Sequence, residues 1–355
     1  MSGRDDTERV PVTVLTGFLG AGKTTLLNRI LRERHGLRIA VIENELGEQG
    51  VDAGILLREE AEDIVQMDNG CLCCSVRGDL RRALETLAGQ RAEGRLAFDC
   101  VVIETSGAAD PGPVAQTLFL EPTVARDYKL AGIVAVVDAI HGPGTLRIRP
   151  EARAQVAYAD RIVLAKSAQA TDPALNELRD ALAALNPHAP VADGDEPALV
   201  HDLVAQVQQG TQISRIEQIA PDGLDTPQHG SEIRSVSLST DRPFDGPLLE
   251  QFLAAAIEIC GTDLYRCKGL LSVAGNDHQV VLQGVQLSMS TRLGVRWPDD
   301  AVRKSRIVLI GHDLPVAPLK DSLRRCLVDD GPDAVTTERP PAYRSVGALG
   351  AGWLA

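Results

Sequence analysis

A glycine-rich segment, residues 16–25, constrains the fold of this chain more than any other feature. Its sequence is TGFLGAGKTT, and it follows the apolar, β-branched residues 10–15 and precedes a helical pattern. Glycines let backbone N–H groups curl around an oxyanion, and a following helix points its positive end at the same place. The order of strand, glycine-rich turn and helix therefore predicts a phosphate-binding loop.

Each residue type in this loop has an expected role. Lys23 would contact the β and γ phosphates of a nucleotide, and the hydroxyl of Thr24 would bind Mg²⁺. The other predicted nucleotide contacts in the loop are Gly17, Gly20, Ala21, Gly22 and Thr25. An ordinary glycine-rich turn is the alternative, but the strand before the loop and the helix after it favour phosphate binding.

Composition restricts the partners of the chain. Its 355 residues are 44% hydrophobic and 24% charged, which is typical of a soluble globular protein. A net charge of -13 argues against a nucleic acid or an anionic membrane as the main partner. Residues 1–9 are polar and lead into no apolar run of signal-peptide or membrane-spanning length, so we expect a cytoplasmic location.

Alternating strand and helix patterns predict an α/β fold, a doubly wound and mostly parallel sheet of the P-loop NTPase type. The first unit is a strand at 12–15, a helix at 24–34 and a strand at 38–42, and residues 159–164 look like the last core strand. The predicted division of the chain is a polar tail at 1–9, a nucleotide-binding domain at 10–219, a linker at 220–230, a smaller α+β domain at 231–330 and a flexible tail at 331–355.

An acidic loop follows the second strand, at the edge of the sheet where ligands bind. It contains Glu45 and Glu48 in the sequence ENELGEQGVD, residues 43–52. These carboxylates could bind Mg²⁺ or a second metal ion, directly or through water. A solvated acidic loop is an equally weighted alternative.

Three cysteines, Cys71, Cys73 and Cys74, form the most unusual cluster in the sequence. Three thiols within four residues can give two or three soft ligands to Zn²⁺ or a similar ion. Because a closed structural zinc site needs four ligands, the cluster favours a labile or transferable ion, completed by Glu45, Glu48, a histidine or water. The isolated Cys100, Cys260, Cys267 and Cys326 fit simple burial.

A further apolar strand, residues 98–103, leads to Glu104 and Gly107 at the same edge of the sheet. In P-loop proteins an acidic residue at this position serves Mg²⁺ or the attacking water, and a backbone amide near the glycine can sense the γ-phosphate. A buried strand can also end in glutamate by chance, but the loop at 16–25 favours the functional interpretation.

Together these motifs resemble the CobW-like metallochaperones of the P-loop GTPases, which are related to the urease and hydrogenase accessory GTPases. The resemblance rests on residues 17–25, 44–48, 69–74 and 104–107, and in the second domain on residues 242–245, 266–269 and 283–285. It implies a GTPase that uses GTP and Mg²⁺ and delivers Zn²⁺ or Co²⁺ to a client metalloprotein, which the sequence does not identify. We expect this GTPase to be slow, because apart from Arg77 beside the cysteines nothing in the sequence marks a built-in arginine finger.

Carried onto this chain, the resemblance implies that Cys71, Cys73 and Cys74 are the metal ligands. It assigns Lys23 and Thr24 to phosphate and Mg²⁺, with Glu45 and Glu48 in a switch-like loop. Lys23, Glu104 and Gly107 are then the expected catalytic positions.

The chain departs from the family pattern at residues 165–168, which read AKSA. Lys166 can still stack on a nucleobase, but the aspartate that would accept two hydrogen bonds from guanine is replaced by Ala168. The loss should reduce guanine specificity by a few kcal/mol. Relaxed nucleotide choice, rescue by Asp172 and weak binding are the options, and our hypothesis is GTP with reduced discrimination against ATP.

Two other functions compete with the chaperone. A metal-responsive regulator or scaffold would bind nucleotide with little hydrolysis, as a degraded base-binding motif would permit. A small-molecule or nucleotide kinase would share the phosphate loop but would leave the cysteine cluster unexplained.

Overall fold

The structure, a computed structural model, describes residues 9–44, 55–58, 64–67, 76–209 and 232–328. These residues form two compact units, one before and one after residues 210–231. Among the described residues, no helix combines the length and the apolar composition that crossing a bilayer requires.

The first unit alternates strands and helices. Its described strands are β1 (Val10–Thr16), β2 (Ile39–Asn44), β3 (Ile55–Arg58), β4 (Ile64–Met67), β5 (Cys100–Thr105), β6 (Tyr128–Asp138), β7 (Arg161–Ala165) and β8 (Val191–Asp193). Its described helices are α1 (Lys23–Arg32), α2 (Val76–Ala92), α3 (Pro111–Leu120), α4 (Pro122–Asp127), α5 (Gly142–Ile148), α6 (Pro150–Tyr158), α7 (Asp172–Leu185) and α8 (Leu199–Gln209).

The strands of this unit form one sheet in the order β4-β3-β2-β5-β1-β6-β7-β8. Every described neighbour pair from β2 to β8 is parallel, whereas β3 and β4 run antiparallel to their neighbours. The carboxyl ends of β1, β2, β5, β6 and β7 therefore lie at one edge of the sheet, where an open α/β sheet binds its ligands.

Helix α1 is held on the sheet by one apolar face. Leu26, Leu27 and Ile30 are buried at the spacing of one helical face, and they join a cluster with Leu199 and Leu203 of α8. The side chains of β5 and β6 are almost continuously buried, as expected for strands covered on both faces. This packing fixes the first turn of α1 beside the ends of the central strands.

Two features of the sheet differ from the sequence prediction. The core strand predicted at residues 159–164 is present as the buried β7, but it is not the last strand, because β8 pairs with β7 in parallel and extends the sheet. With only three residues, β8 is too short to show an alternating pattern. No sequence pattern predicts β3 either, because its antiparallel pairing with β4 is a tertiary contact.

The second unit is an antiparallel sheet with helices. Its described elements are β9 (Ile233–Thr240), α9 (Gly246–Cys260), β10 (Leu264–Leu271), β11 (His278–Val285), β12 (Ser288–Arg296), β13 (Ser305–His312) and α10 (Val316–Arg324). The strand order is β12-β11-β10-β13-β9, and both helices contribute to one core with the sheet. The α+β character predicted for this part of the chain is thus present.

The motifs of the second unit have structural roles. Asp245 caps α9 by accepting a hydrogen bond from the Leu248 backbone N–H at 2.9 Å, and the Arg242 guanidinium donates to the Val328 carbonyl. Arg266 is only 1% exposed and donates to the Gly284 carbonyl at 3.2 Å. These contacts account for the motifs as packing and capping features of the unit.

Candidate nucleotide-binding site

The glycine-rich loop connects the end of β1 to α1, as the sequence predicts. Gly17 has φ 145°, and a Cβ placed there would lie 2.3 Å from the Val136 carbonyl oxygen of β6. Gly22 precedes α1 with φ 102°, in the left-handed region that favours glycine. The loop therefore requires glycine at both positions. At Gly17 the reason is the close approach of the β6 backbone, and at Gly22 it is the left-handed backbone conformation.

Lys23 begins α1, and its side chain turns back over the loop. It is 8% exposed, and its Nζ donates a hydrogen bond to the Gly17 carbonyl at 2.9 Å. Among the other predicted contacts, Gly20 and Ala21 lie in the loop, while Thr24 and Thr25 are exposed in the first turn of α1. A buried ammonium beside the positive end of a helix suits a polyphosphate.

Thr24 and Glu104 meet beside this loop. The Thr24 Oγ1 donates to Glu104 Oε1 at 2.9 Å, because Glu104 lies in β5 opposite Leu15 of the neighbouring β1. A hydroxyl and a carboxylate are hard oxygen ligands of the kind that Mg²⁺ prefers. The donor set at this position therefore fits a magnesium ion.

Gly107 follows β5 and packs directly on the phosphate loop. A Cβ placed on Gly107 would lie 2.6 Å from the Leu19 backbone nitrogen, so any larger residue would displace one of the two segments. The buried amide of Gln155, on α6, donates to the carbonyls of Gly107 and Ala109 at 3.1 and 3.0 Å. Sequence reasoning missed Gln155, since nothing in its local sequence marks a contact 48 residues away.

Lys166 connects three segments of the site. It has φ 61°, and its Nζ donates to Asp138 Oδ2 at 2.6 Å and to the Gly20 carbonyl at 3.2 Å. Burial raises the pKa of Asp138, but hydrogen bonds from Lys166 and from the His141 and Ile140 backbone N–H groups lower it by more. The net effect lowers the pKa of Asp138, which stays ionised next to the ammonium.

A cavity of about 330 Å³ lies against the phosphate loop. The end of β6, α5 and α6 form its other walls, and Asp138, Gln155 and Lys166 are among the polar side chains that line it. Mixed apolar walls with a few convergent polar groups are typical of a ligand site.

The predicted base-binding segment, residues 165–168, contacts a carboxylate from another part of the chain. Asp195, in the turn after β8, accepts hydrogen bonds through Oδ2 from Ser167 Oγ and from the Ala168 backbone N–H, both at 3.3 Å. The option raised from the sequence was Asp172, which lies in the first turn of α7. Sequence reasoning did not single out Asp195.

The predicted transition-metal ligands, Cys71, Cys73, Cys74, Glu45 and Glu48, lie outside the described residues. Within the described part of the chain, no three histidine, cysteine, aspartate or glutamate side chains group in a way that could hold a metal ion. The predicted assignment to these five residues therefore stays a prediction.

The four isolated cysteines are free thiols and buried, in agreement with the sequence interpretation. Burial raises the pKa of Cys100 and of Cys267 to about 12 in each case, and it raises the pKa of Cys260 and Cys326 as well. These thiols are small apolar side chains of the two cores.

Two family models match the sequence. The model described as CobW/HypB/UreG, nucleotide-binding domain, covers residues 11–193. The chain belongs to the CobW/HypB/UreG family. Residues 233–327 match the model described as Cobalamin synthesis protein cobW C-terminal domain. The family resemblance drawn from the motifs is confirmed, and so is the fold class of a P-loop sheet followed by a smaller domain.

Similar proteins extend the family assignment over most of the chain. The zinc chaperone YjiA of Escherichia coli is 36% identical over 306 residues, which is 86% of this chain and 95% of YjiA. The zinc-regulated GTPase metalloprotein activator 1 of Schizosaccharomyces pombe is 42% identical over 187 residues, covering 50% of this chain and 44% of that protein.

A solved structure shows the same fold. The crystal structure of the Zn(II)-bound YjiA GTPase from E. coli aligns with a TM-score of 0.66 and 33% identity, covering 90% of this chain and 99% of that chain. This CobW/HypB/UreG family member therefore shares the architecture of a GTPase whose structure was determined with zinc.

Proposed function

We propose that this chain is a GTP-dependent metallochaperone that binds a transition metal ion, Zn²⁺ or Co²⁺, and couples its release to the nucleotide state. The observation that carries the nucleotide half of the proposal is the Thr24–Glu104 hydrogen bond beside the buried Lys23. The names of the relatives, a zinc chaperone and a zinc-regulated GTPase, favour zinc over cobalt.

In this proposal the chain's own residues hold and orient GTP. Lys23 and the backbone N–H groups of residues 17–25 bind the phosphates, while Thr24 and Glu104 bind Mg²⁺. The metal ion would supply positive charge against the phosphate oxygens when bound. Gly107, held by Gln155, lies where its segment can respond to the γ-phosphate, and Lys166 packs beside the base.

The sheet supports a connection between nucleotide and transition metal. Residue pairs Glu43–Glu104 and Asn44–Thr105 align β2 with β5, so the strand that precedes the acidic loop ends next to Glu104. Strand β4 is parallel to β2 across β3, and its last residue, Met67, lies at the same edge. Both segments that carry predicted metal ligands thus begin at the edge that carries the nucleotide site.

The ligands proposed for the transition metal are Cys71, Cys73 and Cys74, with Glu45 or Glu48 completing the site. Thiolates are soft ligands that suit Zn²⁺, and the fourth ligand, a carboxylate, is harder and is the one that a client can displace when the ion is passed on. A client metalloprotein would receive the ion, and we place this delivery in the cytoplasm.

The alternative is a metal-responsive nucleotide-binding regulator with little hydrolysis. Single-turnover GTP hydrolysis with and without stoichiometric Zn²⁺ separates the two functions. The chaperone predicts that Zn²⁺ changes the hydrolysis rate of the wild type but not of a Cys71→Ala, Cys73→Ala, Cys74→Ala variant. The regulator predicts a change in nucleotide affinity with scarcely any turnover. If Zn²⁺ changes neither quantity, the proposed coupling is contradicted.

A further inference from the structure

The segment expected to bind the nucleobase lacks its own carboxylate but contacts one. The strand β7 ends at Ala165, and the backbone then turns through Lys166 into a short 3₁₀ helix, Ser167–Gln169. Ala168 is exposed, and its backbone N–H donates to Oδ2 of Asp195, 27 residues later in the chain. The Ser167 hydroxyl donates to the same oxygen.

The turn that carries Asp195 is fixed on the side of β7. The Gly194 N–H donates to the Leu164 carbonyl at 2.7 Å, and a Cβ placed on Gly194 would lie 2.7 Å from that same oxygen. Only glycine allows this approach, which brings the turn directly against the end of the strand that leads to Lys166. The position of Asp195 is therefore set by the backbone.

The same turn is also held by hydrogen bonds from α1, the helix that follows the phosphate-binding loop. Arg29 of α1 donates through its guanidinium to the carbonyls of Gly194 and Glu196, the second at 2.8 Å. Lys166 in turn donates to the Gly20 carbonyl in the phosphate loop. The Asp195 turn, the base-binding segment and the phosphate loop are thus joined by direct hydrogen bonds.

We propose that Asp195 supplies the carboxylate that reads guanine, in place of the aspartate missing at Ala168. Guanine presents two donors on one edge, N1–H and the 2-amino group, whereas adenine presents an acceptor at N1 and no amino group at C2. A carboxylate therefore attracts guanine and repels adenine at this edge. This inference rests on the proposed function, since it assigns the base specificity of the same nucleotide site.

Asp195 has the capacity for this role. It is exposed, and both of its hydrogen bonds to residues 167 and 168 are long, at 3.3 Å, and end on one oxygen. An ionised carboxylate offers about four acceptor positions, so the remaining ones suffice for two guanine donors. The geometry replaces the expectation of reduced discrimination with a retained preference for guanine nucleotides.

The test compares GDP, ADP and XDP binding to the full chain with Mg²⁺, for the wild type and for Asp195→Asn. Xanthine has a carbonyl at C2 where guanine has its amino group, so the amide of an asparagine can donate to it. Hydrogen bonds to a charged group are worth about 1.5–3 kcal/mol, which corresponds to roughly 10- to 100-fold in affinity. We expect Asp195→Asn to lose GDP affinity by this factor and to gain XDP affinity.

Matched controls separate base reading from a structural role. Asp172→Asn removes the other aspartate considered for this role and should leave all three affinities unchanged. If Asp195→Asn binds GDP as the wild type does, or if it weakens GDP and ADP equally and gains no XDP binding, Asp195 does not read the base. If the wild type binds none of the diphosphates, the proposed function fails together with this inference.

Discussion

Thr24 and Glu104 are joined by a 2.9 Å hydrogen bond although they are 80 residues apart in the sequence. The contact exists because β1 and β5 are parallel neighbours, so that the start of α1 and the end of β5 meet at one edge of the sheet. This pair links the phosphate-binding loop to the segment that contains Gly107. At this contact the start of α1 and the end of β5 together form the part of the nucleotide site that is proposed to bind Mg²⁺.

Thr24→Ala and Glu104→Gln should each lower Mg²⁺-dependent GDP affinity about tenfold or more, because each removes one oxygen ligand or its charge. The double variant should lose less than the sum of the two changes in binding free energy, since both residues serve one ion. Calorimetric titration with and without Mg²⁺ measures this. Asn28→Ala, an exposed change on the same helix, is the control and should bind normally. Additive losses would show that the two residues do not share an ion.

Gln155→Leu should loosen the segment that contains Gly107, because the carbonyls of Gly107 and Ala109 lose their common donor. We expect a loss of about 1–3 kcal/mol in the free energy of unfolding together with slower GTP hydrolysis. Urea unfolding and single-turnover assays test this, with the exposed Gln251→Leu as a control. A hydrolysis rate equal to that of the wild type would contradict the positioning role of Gln155.

Asp138 should contribute to stability in a pH-dependent way. Its pKa is lowered in the folded protein, so its contribution is complete above the unfolded value of about 3.9 and is lost as the pH falls through the folded pKa. Asp138→Asn should therefore cost about 1 kcal/mol near neutral pH, and the difference from the wild type should shrink in acid. Urea unfolding of both proteins at neutral and at acidic pH measures this difference. A difference that grows in acid would contradict the stabilising role of the ionised Asp138.

The seven thiols should divide into three that react with alkylating reagents and four that do not. Burial and raised pKa values keep Cys100, Cys260, Cys267 and Cys326 from forming thiolates, which are the species that alkylating reagents attack. Mass spectrometry after brief alkylation of the native, metal-free protein should find label only at Cys71, Cys73 and Cys74. Added Zn²⁺ should protect these three. Labelling that Zn²⁺ leaves unchanged would count against them as ligands.

The sequence was sufficient for the features that local patterns encode. The loop at residues 16–25 has a fixed spacing of glycines and a lysine between a strand and a helix, so its place in the fold could be predicted. Glu104 could be predicted because an apolar strand delivers it to the edge of a parallel sheet.

Residues that act through distant contacts could not be predicted in the same way. Gln155 and Asp195 lie in segments with no recognisable motif, and each is brought to the site by the packing of elements far away in the sequence. Strand β8, which carries the turn with Asp195, is itself too short to predict. The linker at 220–230 and the domain boundaries near it stay predictions, since residues 210–231 lie outside the described part of the chain.

Zinc titration against a competing chelator, with and without GTP and Mg²⁺, tests the coupling of metal to nucleotide most directly. For the wild type we predict tight Zn²⁺ binding whose affinity changes when GTP and Mg²⁺ are present. A Cys71→Ala, Cys73→Ala, Cys74→Ala variant should lose this binding while it still binds GTP. Wild-type Zn²⁺ affinity that is the same with and without nucleotide would contradict the account.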